Sequence, residues 1–136
     1  MTDRSSARRG MVTGIGGVFF KAKDAPGLTA WYREHLDLPA GDETFAIFPW
    51  RQHDNPESPG TTVWSAFPED TEYFGPEDQQ WMVNYRVDDL EAILARLAAA
   101  GVRVAEEREE SEYGRFGWVF DSEGNRVELW EPPAGS

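Results

Sequence analysis

The fold of this chain is decided by residues 113–132, which read YGRFGWVFDSEGNRVELWEP. Residues 121–125 are typical of a turn, because Gly and Asn tolerate positive φ and Asp hydrogen-bonds to neighbouring backbone amides. The runs on either side are rich in aromatic and β-branched residues, as strands are. The segment therefore predicts two antiparallel strands joined by a hairpin turn.

Two copies of a strand–helix pattern precede this hairpin. Ile15–Ala22 alternates as a strand and is followed by an aspartate-capped amphipathic helix near residues 26–36. Trp81–Val87 predicts a second strand, followed by a helix near residues 89–100 in which either of two adjacent aspartates is the cap. The equal spacing from cap to following strand indicates an internal duplication.

Shorter strand-like runs follow each predicted helix: Phe45–Trp50 and Thr61–Phe67 in the first copy, and Val102–Glu106, Phe116–Phe120 and Arg126–Trp130 in the second. The pattern predicts one α+β domain over residues 11–134, made of two βαβββ units at about 11–67 and 81–132. Residues 68–80 are acidic and interrupted by proline, which indicates a linker rather than a core element. Residues 1–10 are polar and basic, which predicts a disordered tail.

Composition excludes several classes of function. The net charge of −12 disfavours nucleic acid and anionic membranes as partners. The chain has no cysteine, so a disulfide or a Cys-ligated metal site is excluded. No apolar run reaches the length of a membrane span, and no signal sequence is evident, so we expect a cytoplasmic protein. Aromatic residues make up 13% of the chain, more than a small core usually needs, which favours an aromatic-lined cavity.

The ending Asp-x-x-Gly-Asn-Arg-x-Glu-Leu and the repeated strand–helix pattern resemble the vicinal-oxygen-chelate superfamily of glyoxalases, extradiol dioxygenases and bleomycin-resistance proteins. The resemblance covers roughly residues 12–132. It implies that the two units form curved mixed sheets around a cavity. It also implies a homodimer, because single-module relatives commonly pair to complete or cover their cavities.

The resemblance also implies where metal ligands would stand. The histidine positions of catalytic members fall on Gly17 and on Met82, or on Trp81 in the alternative register, and none of these suits a hard divalent ion. The last strand of the first unit has no carboxylate, so Glu128 alone remains. His53 would join it only if its loop folded over the cavity. We therefore expect no metal or other cofactor, with Glu128 as the single candidate ligand or catalytic group.

Strand alternation places Asn84, Arg86 and Glu128 on faces that the resemblance assigns to the cavity. A buried Arg86 needs a partner, which Glu128 or an anionic ligand would supply, with a side chain that reaches solvent at the strand end as the alternative. Aromatic residues that would wall the cavity, with ordinary core packing as the alternative for each, are Phe19, Trp64, Tyr113, Phe116, Trp118 and Trp130.

Three functions follow from these observations. The first is metal-free binding of a small organic molecule in an aromatic-lined cavity. The second is a metal-dependent lyase or dioxygenase-like enzyme whose displaced site uses Glu128 and His53. The third is a structural or regulatory partner domain without a small-molecule ligand. The sequence favours the first and leaves open whether the protein is an enzyme.

Overall fold

The computed structural model describes residues 10–53, 55–76 and 78–134. These residues form seven strands and two helices, in the order β1 Val12–Ala22, α1 Ala25–Leu36, β2 Phe45–Arg51, β3 Pro59–Pro68, β4 Trp81–Val87, α2 Leu90–Ala99, β5 Val104–Ser111, β6 Gly114–Phe120 and β7 Arg126–Glu131. Of the predicted tail, residues 1–9 lie outside the described residues. Gly10 is buried, and its carbonyl accepts a hydrogen bond from Arg96 at 2.6 Å.

All seven strands belong to one mixed sheet, in the order β2-β3-β1-β4-β7-β6-β5. The first strands of the two units, β1 and β4, pair antiparallel at its centre. Each then pairs in parallel with the last strand of its own unit, β3 for β1 and β7 for β4. The sheet does not close into a barrel. This arrangement confirms the predicted α+β fold and the pseudo-equivalence of β1 and β4.

The two units differ by one strand in the described structure. The second unit is βαβββ, as predicted, whereas the first is βαββ and continues into the segment between β3 and β4. This segment, residues 69–80, contains Phe74, which is fully buried against Met82 and Trp118. The interpretation of residues 68–80 as a linker without core residues is therefore corrected, because its two adjacent aromatics pack against the sheet despite acidic neighbours.

Both helices begin at a capping aspartate. The Asp24 carboxylate accepts from the backbone N–H of Gly27, and the Asp89 carboxylate accepts from that of Ala92. The structure thus selects Asp89 over Asp88 as the cap of α2. Asp88 instead accepts from the backbone N–H of Met11 at 2.8 Å, which fastens the start of β1 to the end of β4.

The helices pack against one face of the sheet, and their contacts follow the strand alternation. On β4, Tyr85 and Val87 belong to the cluster beneath α2, whereas Met82 packs on the opposite face. On β1, Phe20 and Ala22 pack beneath α1. The alternate side chains of these strands, such as Met82 on β4, therefore lie on the face opposite the helices. No described helix has the length and apolarity needed to cross a membrane.

Candidate functional site

A cavity of about 420 Å³ lies on the sheet face opposite the helices. Its lining side chains come from both units and are mostly apolar. The first unit supplies Gly16, Phe19, Phe45, Ile47, Thr61 and Val63, and the second supplies Asn84, Glu112, Tyr113, Phe116, Glu128, Trp130 and Pro133. The superfamily resemblance implied a cavity lined by both units, and the structure has one.

Glu128 is the buried carboxylate of this cavity, with 1% of its surface exposed. Strand register places it beside Asn84 on β4 and Trp118 on β6, so all three side chains share one face. Its Oε1 accepts from Asn84 Nδ2, and its Oε2 accepts from Trp118 Nε1 at 3.0 Å. The same Oε2 accepts from the Tyr73 hydroxyl, which the segment between β3 and β4 supplies.

Burial dominates the electrostatics of this group. It raises the pKa of Glu128, although the hydrogen bonds from Tyr73, Asn84 and Trp118 act in the opposite direction. The pKa of Tyr73 is also raised, first by burial and then by the charge of Glu128. Three uncharged donors therefore hold a carboxylate whose proton affinity is increased.

Arg86 is the buried cation of the same face, with 2% of its surface exposed. Its guanidinium lies 5.4 Å from the centre of the Trp50 ring and 5.2 Å from that of Trp130, within cation–π range of both. Burial lowers its pKa. The predicted ion pair with Glu128 is not formed among the described contacts, because neutral donors occupy the Glu128 carboxylate.

Asn84 is 2% exposed, and the two polar atoms of its side-chain amide have different surroundings. Its Nδ2 donates to Glu128, whereas its buried Oδ1 has no hydrogen-bond partner among the described residues. The Oδ1 atom lies against Gly16, where an added Cβ would approach it to 2.1 Å. The pairing of β1 with β4 skips Gly16, so this glycine sits in a bulge that makes room for the amide.

Four of the seven predicted ligand-binding residues line the cavity: Phe19, Asn84, Glu128 and Trp130. Two more lie beside it, since Trp118 hydrogen-bonds to Glu128 and Arg86 stacks on Trp130. Trp64 lies on the opposite face, with its ring 4.8 Å from that of Phe20 and 5.2 Å from that of Tyr32. Its neighbour Val63 faces the cavity, so alternation directs Trp64 toward α1. The wall candidates Tyr113 and Phe116 also line the cavity.

Sequence reasoning missed Tyr73, which belongs to no periodic element. The one available signal was the pair Tyr73-Phe74 inside an otherwise polar segment. Phe45, Ile47 and Val63 were also missed as wall residues, because the faces of β2 and β3 depend on their pairing with β1.

The side chains present do not fit the divalent metal that the superfamily resemblance implies. Gly17 offers no ligand, and Met82 is fully buried in the cluster with Phe74 and Trp118. Glu128 is engaged by three donors, while His53 is exposed in its loop and does not line the cavity. The described residues contain no group of three His, Cys, Asp or Glu side chains that would hold a metal ion.

Comparison with known proteins agrees with the fold. The model of the glyoxalase-like domain family matches residues 17–130. Methylmalonyl-CoA epimerase from Mycobacterium tuberculosis is 21% identical, with a TM-score of 0.59 over 97% of this chain and 96% of that chain. A Streptomyces coelicolor methylmalonyl-CoA epimerase variant in complex with 2-nitronate-propionyl-CoA is 18% identical, with a TM-score of 0.68 over 91% of this chain and 100% of that chain.

A member of the glyoxalase/bleomycin resistance protein/dioxygenase superfamily from Vibrio splendidus 12B01 is 14% identical, with a TM-score of 0.53 over 86% of this chain and 97% of that chain. No curated protein matches the sequence significantly. At these identities the structural neighbours share the fold. Together with the matching family model, they confirm the resemblance to the vicinal-oxygen-chelate superfamily.

Proposed function

The chain belongs to the glyoxalase-like domain family, and on that premise we propose that it binds a small, flat organic molecule in the Glu128 cavity without a metal ion. The observation that carries this proposal is the composition of the cavity wall. Aromatic and aliphatic side chains dominate it, while Asn84 and Glu128 supply polar groups at one place. Few polar groups in an apolar wall are what orients a small ligand.

Size and preorganisation support the same function. A volume of about 420 Å³ falls within the roughly 300–1,000 Å³ of small-molecule sites. The Glu128 carboxylate is held in place by hydrogen bonds from Tyr73 and Trp118. Ligand binding therefore has a small entropy cost for ordering side chains at the polar end of the cavity. These features support a ligand site over a purely structural domain.

Charge narrows the ligand class. A carboxylate lies at the polar end of the cavity, Glu112 lines it as well, and the protein carries a net charge of −12. The two carboxylates that line the cavity and the overall charge both oppose an anionic ligand, while the Arg86 guanidinium beside the cavity is buried against the rings of Trp50 and Trp130. The proposed ligand is therefore neutral or cationic, with an aromatic or alicyclic body.

Thermal unfolding with a panel of neutral and cationic bicyclic aromatic compounds tests the proposal. A compound at 100 times its dissociation constant should add about 2.7 kcal/mol to the free energy of unfolding. Val63→Trp fills the cavity and should abolish the effect. Val12→Trp is the matched control, because Val12 is 43% exposed and does not line the cavity. Equal responses of both variants, or no stabilising compound in the panel, would contradict the proposal.

The same assay addresses the metal-dependent alternative. We expect Zn²⁺, Ni²⁺, Mn²⁺ and Fe²⁺, each added alone, to leave the melting temperature unchanged. A rise with one of these ions that Glu128→Gln abolishes would favour a lyase or dioxygenase-like enzyme.

We also propose a homodimer, which the apolar exposure of the edge strand β2 supports. Phe45, Ile47 and Phe48 on this strand are 36–50% exposed, and the first two line the cavity. Sedimentation at micromolar concentration should show a species of twice 15.4 kDa. A 15.4 kDa species at every concentration would contradict this assembly.

A further inference from the structure

Resting on the proposed function, we propose that the ligand carries an N–H or O–H donor and that Asn84 Oδ1 is the atom that accepts it. Asn84 would then be the residue that selects donor-bearing molecules over isosteres without a donor.

The hydrogen-bonding groups around Glu128 leave one acceptor unused. The Glu128 oxygens accept from Tyr73, from Trp118 and from one hydrogen of the Asn84 Nδ2 group. Asn84 Oδ1 has no partner among the described residues, although the side chain is 98% buried. A buried carbonyl oxygen without a donor is unfavourable, so a ligand that supplies one recovers that cost.

The neighbouring carboxylate fixes the orientation of the amide. Rotating the Asn84 side chain by 180° would bring Oδ1 against the Glu128 carboxylate, which already accepts from Tyr73 and Trp118. Two acceptors would then face each other in a buried site. The Nδ2 atom therefore stays on Glu128, and Oδ1 is directed toward Gly16.

Gly16 places the Asn84 acceptor next to an aromatic ring of the cavity wall. Gly16 lines the cavity, and a Cβ added there would meet Asn84 Oδ1 at 2.1 Å and the Trp130 ring at 2.9 Å. Glycine thus brings the acceptor and an aromatic face together at one point of the wall. The Trp130 ring also lies parallel to that of Phe116, with 6.1 Å between centroids. A flat molecule bound against these rings would lie next to Oδ1.

Indole and 1-benzofuran test the inference on the unmodified protein, because they share size and shape but only indole carries an N–H donor. We expect indole to bind at least about tenfold more tightly in calorimetric titration. Indole should also shift the Asn84 side-chain amide resonances in a ¹H–¹⁵N spectrum.

Equal affinity of the two compounds, or tighter binding of 1-benzofuran, would overturn the role of Asn84 Oδ1 while leaving the proposed function intact. Binding of neither compound at millimolar concentration would count against both proposals. Asn84→Leu provides a second comparison, since it should reduce the preference for indole to near unity. If this variant does not fold, the comparison of the two compounds on the unmodified protein remains decisive.

Discussion

The two strand–helix units repeat in sequence but bury very different amounts of apolar surface. Helix α2 buries Leu90, Ile93 and Leu94 against the sheet. Helix α1 buries Ala25 and Thr29, and its larger apolar side chains Trp31 and Leu36 are 51% and 62% exposed. Similar spacing of helical apolar residues therefore does not imply equal burial. The second unit holds the larger core.

The cavity is divided in the same way. The first unit supplies an apolar wall from β1, β2 and β3, whereas the second supplies the buried polar side chains Asn84 and Glu128. The segment between the units then adds Tyr73 to the polar end. Duplication produced two similar frames, of which one carries the polar chemistry and most of the buried core.

The largest expected effect is on stability, and it compares the two helices directly. Leu94→Ala removes a 2% exposed side chain from the α2 core and should cost about 2–5 kcal/mol of unfolding free energy. Leu28→Ala in α1 changes a half-buried side chain and should cost less than about 2 kcal/mol. Urea denaturation measures both. Equal losses would show that the two units contribute similarly to the core.

Tyr73→Phe tests the link between the connecting segment and the second unit. It removes one donor from a buried carboxylate and keeps the aromatic packing against Phe67, so about 1–3 kcal/mol should be lost. Tyr113→Phe is the control, because Tyr113 is 67% exposed, and it should change stability by less than about 0.5 kcal/mol. A Tyr73→Phe loss no larger than the control's would mean that the segment does not support Glu128.

The pH dependence of the unfolding free energy tests the role of Glu128 in the second unit. Because burial raises the pKa of Glu128, the folded state holds this proton more tightly than the unfolded state does. The contribution of Glu128 is therefore full below about pH 4 and is lost as pH rises through its folded pKa.

Glu128→Gln lacks this loss, so its stability relative to the unmodified protein should increase as pH rises from about 4 toward neutral. Urea denaturation across that range measures the difference. A constant difference, or one that changes in the opposite direction, would contradict the raised pKa.

The smallest expected effect is the coupling free energy between Arg86 and Glu128 in the second unit, which should be near zero. Arg86→Met and Glu128→Gln, made singly and together, should be additive to within about 0.5 kcal/mol, because the two groups have different contacts. A buried ion pair would instead lose about 3–5 kcal/mol when one partner is removed. Strong coupling in this cycle would support the ion pair between Arg86 and Glu128 that the sequence suggested.

Local pattern was sufficient to predict most of the second unit. Alternation along β4 correctly placed Asn84 opposite Tyr85, and the hairpin of residues 121–125 set the register that brings Glu128 beside Trp118. These relations depend on neighbouring strands with short connections. They are the relations that sequence periodicity encodes.

The rest of the site depends on long-range packing that periodicity does not encode. Tyr73 reaches Glu128 across 55 residues from a segment with no regular structure. Trp64 was expected to line the cavity, but its face is set by the pairing of β3 with β1. The buried carboxylate of Glu128 was expected to attract Arg86, whereas the tertiary structure supplies neutral donors.

Binding in the Glu128 cavity is tested most directly by a crystal structure of the protein soaked with indole. The expected result is a ring against Trp130 and Phe19, enclosed by residues of both units, on the sheet face opposite the helices. Val63→Trp crystals soaked in the same way should show an empty cavity. Indole bound only beside Trp31 and Tyr32 of α1, or absent at saturating concentration, would contradict a ligand site at Glu128.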